Sequence, residues 1–348
     1  MLFGAFDQND SQGGLTADLY DQRLALAERY ERHGFHIYQM SEHHGSPLST
    51  TPSPSVFLAA LSQRTKTLRF GPLVYLLPAY NPMRLVEEIC MLDHLSRGRF
   101  EFGVGRGASP YEMGYLGVAA EDMKPMYVEA LDMVREGLID GRMTLKGDYW
   151  QYDGVPLSIR PYQQPLPQMW AAVGSPDSAV WPATHGLNIV VAAPPPRARE
   201  VFQRYLSERA AAGVDTGSAP LMGLNRYIVC AETDEEALTI GRRAWKRFHE
   251  SYILLWNRHG GTPGNHLPDD FDALRERGNA IAGSPETVLA ALGAQIGTAG
   301  ANFLSGNFIF GDMNFEEASR SIDLFAERCI PALRDAGARA HSELLAAA

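Results

Sequence analysis

Cysteine is scarce in this chain, and long apolar runs are absent. The three cysteines, Cys90, Cys230 and Cys329, are widely separated and form no C-x-x-C pair. We therefore expect neither a disulfide framework nor a zinc ribbon, and reduced thiols are typical of a cytoplasmic protein. No apolar run approaches the roughly 18 residues that a membrane-spanning helix needs. The N-terminal residues carry no basic region, so we expect no secretory signal.

Positive charge is also in short supply. The chain has 31 Lys and Arg against 41 Asp and Glu, which gives a formal net charge of −10. Nucleic acids and anionic membrane surfaces are therefore poor candidates for partners, because both are held largely by Lys and Arg. What is present is an ordinary globular composition, with 348 residues of which 45% are hydrophobic and 21% charged. Such a chain can bury a large core, and we expect a single domain over residues 1–348.

Short apolar runs alternate with amphipathic stretches along the chain. The predicted strands are 2–6, 35–40, 68–77, 99–104, 168–173, 187–192, 221–231 and 302–309. Ser-Pro or Asn-Pro pairs at 53, 81, 175 and 284 lie where helices should begin, because such a residue caps a helix whose first position tolerates proline. About eight strand–helix units predict an α/β fold, a (β/α)8 TIM barrel, with an open doubly wound sheet as the alternative.

Two stretches interrupt this alternation. Residues 141–167 are rich in Gly, Pro, Tyr and Trp, and we expect a hairpin or an irregular excursion there. Residues 245–280 contain Gly260-Gly261 and several prolines among charged residues. A connection of that length favours a mobile loop or lid.

The segment Ser41-Glu42-His43-His44 follows the second predicted strand. The carboxyl ends of barrel strands face the active site, and a histidine there can move protons near neutral pH. Since adjacent side chains of an extended segment diverge, we expect only one of the two histidines to face a pocket, the other being structural. A metal site that also uses His36 is a weaker alternative, because the spacing matches no standard ligand set, and we expect no metal.

A glycine-rich turn, Gly103 to Ala108, fits the pattern G-x-G-x-x-A after a predicted strand. A dinucleotide site is disfavoured, because residues 109–114 do not begin a clean helix and the motif lies in the fourth unit. The preferred interpretation is a tight turn from which Arg106 reaches a phosphate, and the alternative is an exposed arginine on a structural turn.

A second candidate phosphate site is the segment Gly174-Ser175-Pro176-Asp177-Ser178, which follows the strand 168–173. The start of a helix together with two hydroxyl groups is suited to an anion. Plain capping of the helix is the more common use of such a pair. Combined with Arg106, the segment suggests one phosphate held from two sides.

Four segments of the chain, taken in order, are Glu42-His43-His44, RTKTLRFGPLVYLLPAYNPMRLVEE, LDHLSRGRFEFGVGRG and AAVGSPDSA. Together they resemble the bacterial-luciferase-like flavin-dependent monooxygenase family, and the match is densest over residues 1–190. The resemblance implies a luciferase-like barrel with insertions at its carboxyl face, binding FMN. It implies that a separate NAD(P)H:flavin reductase supplies reduced FMN (FMNH2). Reaction with molecular oxygen would then give a C4a-peroxyflavin that oxygenates a small organic substrate.

The resemblance also assigns roles to individual residues. His43 matches the catalytic histidine, and Glu42 matches the acid beside it. Arg106 matches the arginine that binds the phosphate, and Ser175 and Ser178 match hydroxyl residues at the phosphate. Leu73-Val74 matches the place of a cis peptide bond against the isoalloxazine. Gly105 stands where the light-producing luciferase subunit has cysteine, and Gly174 where it has glutamate. Both glycines belong to the expected FMN contacts, but light emission is not expected.

Three other functions stay open on the sequence. One is an F420-dependent oxidoreductase that transfers hydride, another is a non-catalytic flavin-binding subunit, and the third is an NAD(P) dehydrogenase that uses the glycine-rich turn. A homodimer is implied by the resemblance, with the amphipathic helix Pro82–Leu95 as its candidate face. The sequence does not identify the substrate.

Overall fold

Strands and helices alternate along the chain in the computed structural model, which describes residues 1–11, 13–215, 217, 219–264 and 266–346. The strands are β1 (Leu2–Asp7), β2 (Ile37–Met40), β3 (Arg69–Pro72), β4 (Tyr75–Leu76), β5 (Phe102–Gly105), β6 (Arg142–Met143), β7 (Val155–Pro156), β8 (Met169–Val173), β9 (Asn188–Val191), β10 (Met222–Cys230), β11 (Ala280–Gly283) and β12 (Phe303–Asn307). The helices are α1 (Thr16–Arg32), α2 (Pro54–Arg64), α3 (Pro82–Ser96), α4 (Pro110–Tyr115), α5 (Met123–Asp140), α6 (Pro176–Thr184), α7 (Pro195–Ala211), α8 (Asp234–His259), α9 (Phe271–Glu276), α10 (Pro285–Ala299), α11 (Phe315–Leu324) and α12 (Ile330–Ala346). A single 3₁₀ turn spans Leu77–Ala79, and a π-helical turn, Phe325–Cys329, joins the last two helices.

The parallel strands form one sheet that curls into a barrel. Their order is β3–β2–β1–β12–β10–β9–β8–β5–β4, with β11 attached to β10. β3 and β4 occupy one strand position, interrupted at Leu73-Val74, where the peptide bond is cis. β3 pairs with β2 and β4 pairs with β5, so the two edges of the sheet meet. The predicted (β/α)8 barrel is confirmed, and the open doubly wound alternative is wrong.

The proline signals at the helix starts work as predicted in three places. The side chains of Asn81, Ser175 and Ser284 each accept a hydrogen bond from a backbone N–H in the first turn of the helix that follows. Ser53 precedes α2 without such a bond. These caps satisfy N–H groups that a helix cannot pair internally, which fixes where each crossover helix begins.

The barrel separates two apolar regions. Its interior is filled by Phe6, Ile37, Leu73, Trp170, Val190 and Phe303. A much larger cluster lies between the sheet and the surrounding helices. The two faces follow strand alternation: on β2, Ile37 belongs to the interior cluster, whereas Tyr38 and Met40 belong to the outer one. Because the packed interior closes the barrel, chemistry is confined to its rim.

The two irregular stretches differ from each other. Within 141–167, β6 and β7 pair antiparallel, and Lys146 bridges to Gln151, which makes a small hairpin. The predicted loop over 245–280 is wrong in its first half, because α8 continues to His259. Trp245, Phe248 and Leu255 recur at helical spacing and are buried, which explains the helix. Among the described residues, no helix combines the length and apolar character needed to cross a membrane.

Candidate active site

The segments singled out from the sequence follow the carboxyl ends of neighbouring strands. Ser41–His44 follows β2, Arg106 follows β5, and Gly174–Ser178 follows β8. β5 pairs with both β4 and β8, so these segments border one side of the barrel mouth. This is the end at which barrel enzymes place their chemistry.

His43 is paired with a residue that the sequence did not single out. Its Nδ1 lies 3.1 Å and 3.3 Å from the two carboxylate oxygens of Glu112. Glu112 is buried, and the His43 side chain is 22% exposed, so the pair lies just inside the rim. A buried carboxylate against one ring nitrogen fixes both the tautomer and the orientation of an imidazole.

Glu112 is placed by α4, a helix that the sequence analysis did not predict. Residues 109–114 do begin a helix: the Ser109 side chain accepts a hydrogen bond from the Glu112 N–H. The prediction that no clean helix starts there is wrong, because Ser109-Pro110 is one more Ser-Pro start signal. The Ser-x-x-Glu spacing, typical of a capping box, was the available clue to Glu112.

Glu42 serves the other histidine. Its Oε1 lies 2.9 Å from Nε2 of His44, and its Oε2 accepts a hydrogen bond from the Leu76 N–H. The two histidines therefore point to different partners, as strand alternation predicts, but Glu42 is not the partner of His43. Burial, followed by the nearby Glu42 carboxylate, raises the pKa of Tyr80 well above its ordinary value, so this phenol remains protonated.

The two His–Glu pairs leave one ring nitrogen of each histidine available. When the carboxylates are ionised, the paired nitrogens carry hydrogen. Nε2 of His43 has no hydrogen-bond partner among the described residues. It can accept a proton from a group in the mouth, or hold one next to it.

Arg106 is exposed between Gly105 and Gly107, whose φ of +90° turns the chain after β5. No ion pair or hydrogen bond joins its guanidinium to any described residue. By contrast, Arg23, Arg69 and Arg243 are each paired with a carboxylate. An unpaired guanidinium at the rim suits an anionic ligand.

Ser175 and Ser178 form a capping box at the start of α6. Ser178 N–H donates to Ser175 Oγ at 3.3 Å, and Ser178 Oγ accepts from the N–H groups of Ser175 and Gly174. The interpretation of this pair as a plain helix cap is therefore confirmed. The Ser178 side chain is nevertheless exposed beside Gly174, so an anion can still approach this corner.

Small residues keep the floor of the mouth flat. A Cβ atom on Gly105 would lie 2.4 Å from Cγ2 of Val74, whereas a Cβ on Gly174 would meet nothing within 4 Å. Ala172, near the end of β8, is exposed. The apolar step at Leu73-Val74 together with these small residues fits a flat ring, and Arg106 with the start of α6 fits its phosphate. The residues present therefore fit FMN.

The metal site that the sequence left as an alternative can be checked on the described residues. Among the described residues, no group of three or more His, Cys, Asp and Glu is arranged to hold a metal ion. His36 lies at the opposite end of β2 from His43 and His44, and burial lowers its pKa. The metal alternative that combined these residues with Glu42 has no geometric support.

Protein families and curated proteins include relatives of this chain. Residues 1–302 match the family model described as luciferase-like monooxygenase. An uncharacterized protein of Sinorhizobium fredii is 39% identical over 313 residues, covering 90% of this chain and 92% of that protein. Limonene 1,2-monooxygenase of Rhodococcus erythropolis is 31% identical over 276 residues, covering 76% and 69%. The oxygenase component of a flavin-dependent trigonelline monooxygenase from Acinetobacter baylyi is 30% identical over 175 residues, covering 50% and 48%.

Solved structures share the fold over almost the whole chain. Monooxygenase RslO1 from Streptomyces bottropensis has a TM-score of 0.86 at 25% identity, covering 96% of this chain and 100% of its own. The oxygenating constituent of 3,6-diketocamphane monooxygenase from Pseudomonas putida, in complex with FMN, has a TM-score of 0.79 at 20% identity, covering 95% and 98%. An F420-dependent secondary alcohol dehydrogenase has a TM-score of 0.74 at 20% identity, covering 96% and 99%.

Proposed function

Because the chain belongs to the luciferase-like monooxygenase family, we propose that it is the oxygenase component of a two-component, FMN-dependent monooxygenase. The observation that carries the proposal is the division of the mouth into two corners. On one side lie the unpaired Arg106 and the start of α6, and on the other the open Nε2 of His43, with the flat Val74–Gly105 floor nearby.

The overall reaction balances with reduced FMN as the electron donor. Reduced FMN, molecular oxygen and substrate give oxidised FMN, oxygenated substrate and water. Bound flavin supplies the activation of oxygen, through the C4a-peroxyflavin that the resemblance implies. Every other task belongs to the protein: to hold the cofactor by its phosphate, to keep water out, and to place one proton correctly.

The protein has groups for these tasks. His43, oriented by Glu112, is the proposed residue that holds the proton, and Arg106 with Ser175 and Ser178 is the proposed phosphate grip. Leu76, Met113, Val118 and Met123 form an apolar cluster next to Val74, which limits access of water from the α4 side. Glu42 is proposed to orient His44 at the rim.

Reduced flavin is proposed to come from a separate NAD(P)H:flavin reductase. The glycine-rich turn after β5 lies in mid-barrel and leads to the short helix α4, so it lacks the context of a dinucleotide site. The trigonelline relative is named as the oxygenase component of its system. No binding site for a nicotinamide nucleotide is needed on this chain if reduced FMN is delivered to it.

A homodimer through the outer face of α2 and α3 is part of the proposal. Val56 on α2 is 72% exposed, and Met91 and Leu95 on α3 are 54% and 49% exposed. Neighbouring helices that present apolar side chains to solvent favour burial against a second copy. Light scattering of the purified protein, with Met91→Lys as the disrupting variant, tests this point.

The decisive experiment is stopped-flow absorbance of the protein loaded with chemically reduced FMN and mixed with oxygenated buffer. A long-lived species that differs from both reduced and oxidised FMN supports the proposal. Reoxidation at the rate of free FMN refutes it. Hydride transfer with F420, without oxygen consumption, would then support the alternative of an F420-dependent oxidoreductase, the class to which one structural neighbour belongs.

A binding experiment tests the phosphate grip separately. Arg106→Met should raise the Kd for FMN about tenfold or more and leave the Kd for riboflavin unchanged, since riboflavin has no phosphate. Arg328→Met is the matched control, because Arg328 is exposed, pairs with Glu286 and belongs to none of the segments proposed to bind FMN. Equal losses for FMN and riboflavin would remove Arg106 from the phosphate.

A further inference from the structure

Three amide side chains near the rim of the barrel have polar atoms that no described residue satisfies. Both polar atoms of the Gln39 amide, Oδ1 of Asn307 and Oε1 of Gln8 are buried and lack a hydrogen-bond partner among the described residues. Gln39 and Asn307 are each only 1% exposed. We call Gln8, Gln39 and Asn307 the rim amides.

Strand register gathers the rim amides around Phe6. Phe6 pairs with Gln39 across β1 and β2, and Ala5 pairs with Gly306, which puts Phe6 beside Asn307 on β12. Phe6 belongs to the interior cluster, and neighbours in register on parallel strands face the same side. Gln8 lies two residues after Phe6, just beyond the end of β1 and towards the mouth. The three amides therefore surround one spot directly above the apolar floor.

The open side of this spot faces the mouth. Asn225 on β10 is bonded to Asn307 and is only partly buried, and Gln8 is also partly exposed. On the other side the site is closed, because Gln39 pairs with Gly71, and a Cβ on Gly71 would lie 1.7 Å from the Glu101 carbonyl oxygen. A small molecule would therefore approach the amides from the side of Gln8 and Asn225, across the barrel from β5 and β8, where Arg106 and Ser175 lie.

The orientation of these groups limits what they can bind. Nδ2 of Asn307 donates to the Asn225 side chain and to the Arg226 carbonyl, so its Oδ1 is the atom left over. Gln8 leaves its buried Oε1 without a partner among the described residues. Gln39 offers both a donor and an acceptor. The set therefore needs N–H or O–H donors and one acceptor.

Other polar residues inside the barrel show what a structural amide looks like. Asn188, 6% exposed on β9, donates to Gln168 at 2.8 Å and accepts from the Leu221 N–H at 2.9 Å. Arg69, at the amino end of β3, is paired with Glu101. Leaving a buried polar atom unpaired is costly, so the rim amides differ from these satisfied neighbours in needing an external partner.

We infer that the rim amides are the recognition site for a polar, uncharged substrate that carries an N–H or O–H donor beside a carbonyl or hydroxyl acceptor, such as a lactam or a phenol. The inference rests on the proposed function only in taking this mouth as the place where substrate meets flavin. Arg69, the charged side chain that β3 places on this inner face, is already paired with Glu101, so it offers no free charge to an ionised substrate group.

Thermal unfolding without substrate gives the first test. Gln39→Met keeps the size of the side chain and removes the unpaired amide, so the Tm should stay the same or rise. Asn188→Leu is the matched control and should lower the Tm, because its amide is in use. A fall for Gln39→Met as large as that for Asn188→Leu would mean that the folded protein already satisfies Gln39, and it would overturn the inference.

Fragment binding to the protein loaded with oxidised FMN gives the second test. The probes are 2-piperidone against N-methyl-2-piperidone, and phenol against anisole, with Kd values from ligand-observed NMR. In at least one pair the member with the N–H or O–H donor should bind at least fivefold more tightly than its methylated counterpart. In the Gln39→Met variant, the ratio of the two Kd values should be close to one. Ratios close to one in the wild-type protein, or ratios unchanged in the variant, would overturn the inference.

The same samples separate this inference from the proposed function. The fragment test needs no oxygen chemistry, so discrimination without a long-lived oxygenated flavin would keep the recognition site and refute the monooxygenase. A large rise in the Kd for FMN in Gln39→Met, without loss of fragment discrimination, would assign the amide to the cofactor and overturn the inference.

Discussion

Replacing Gly105 by alanine tests whether the floor of the mouth depends on a missing side chain. The new Cβ would lie 2.4 Å from Cγ2 of Val74, closer than real Cβ contacts come. Either Val74 or β5 must therefore move by a large part of an ångström. Overpacking of this kind costs about 1–3 kcal/mol.

The expected cost translates into measurable shifts. At about 2.1 cal/mol/K per residue, a chain of 348 residues unfolds with an entropy of about 0.7 kcal/mol/K, so the Tm should fall by about 1.5–4 °C. Since Val74 is expected to support the flavin ring, the Kd for FMN should also rise, about tenfold for each 1.4 kcal/mol of lost contact. Differential scanning fluorimetry and fluorescence titration with FMN measure the two quantities.

A double-mutant cycle isolates the contact. Val74→Ala removes Cγ2, so Gly105→Ala should cost much less in the Val74→Ala background than in the wild-type protein. Gly293→Ala is the control, because a Cβ on Gly293 meets nothing within 4 Å, and alanine favours the helix. Additive losses in the cycle, or a Gly105→Ala protein as stable as the wild type, would refute the argument that Val74 and Gly105 are in tight contact.

Three further substitutions test other parts of the structure. Glu112→Gln should shorten the lifetime of the oxygenated flavin in stopped flow about ten- to a hundredfold while FMN still binds, since it weakens a charge-assisted bond to His43; an unchanged lifetime would contradict this. Burial raises the pKa of Asp10 from 3.8 to about 7 despite Arg23. The native state thus binds more protons than the unfolded state, so stability falls as pH rises between about 4 and 7. Asp10→Asn should flatten that slope in urea unfolding at several pH values, and an unaltered slope would exclude Asp10 as its source. Gly311→Ala should cost about 3 kcal/mol or more, because its Cβ would lie 1.8 Å from the Ala244 carbonyl oxygen at a φ of +60°, and a Tm equal to that of the wild type would contradict the geometry.

The sequence predicts the barrel well because buried parallel strands are short apolar runs between helical stretches. The predicted strand bounds are wrong where contacts between distant parts of the chain determine the backbone conformation. The predicted strand 68–77 is one strand position, but it breaks at Leu73-Val74 into β3 and β4. The predicted strand from Arg99 begins three residues later, because Phe100 forms only an isolated bridge with Phe70 before β5 starts at Phe102.

The candidate site is predicted in part for the same reason. His43, Arg106 and Ser175 lie at strand ends, which the alternation of elements reveals. Glu112 lies on a helix of only 6 residues, too short to show a periodic pattern. The rim amides are equally invisible, because lone polar residues within strands carry no signal until the register shows which face they share and which of them lack partners.

The uneven pairing of β10 has a consequence for recombination between related proteins. Its first residues pair with β9 and β12, and its last, Tyr227–Cys230, pair with β11. The segment from α8 to β11 thus leaves the sheet at the end of β10 and rejoins it beside the same strand. Trp245 and Ala244 contact Phe310 and Gly311, which follow β12, so the first half of α8 is fixed to the barrel. A chimaera that exchanges only the residues between Phe248 and β11 would replace the part of α8 that packs against Tyr111 of α4 and leave the pairing of the strands intact.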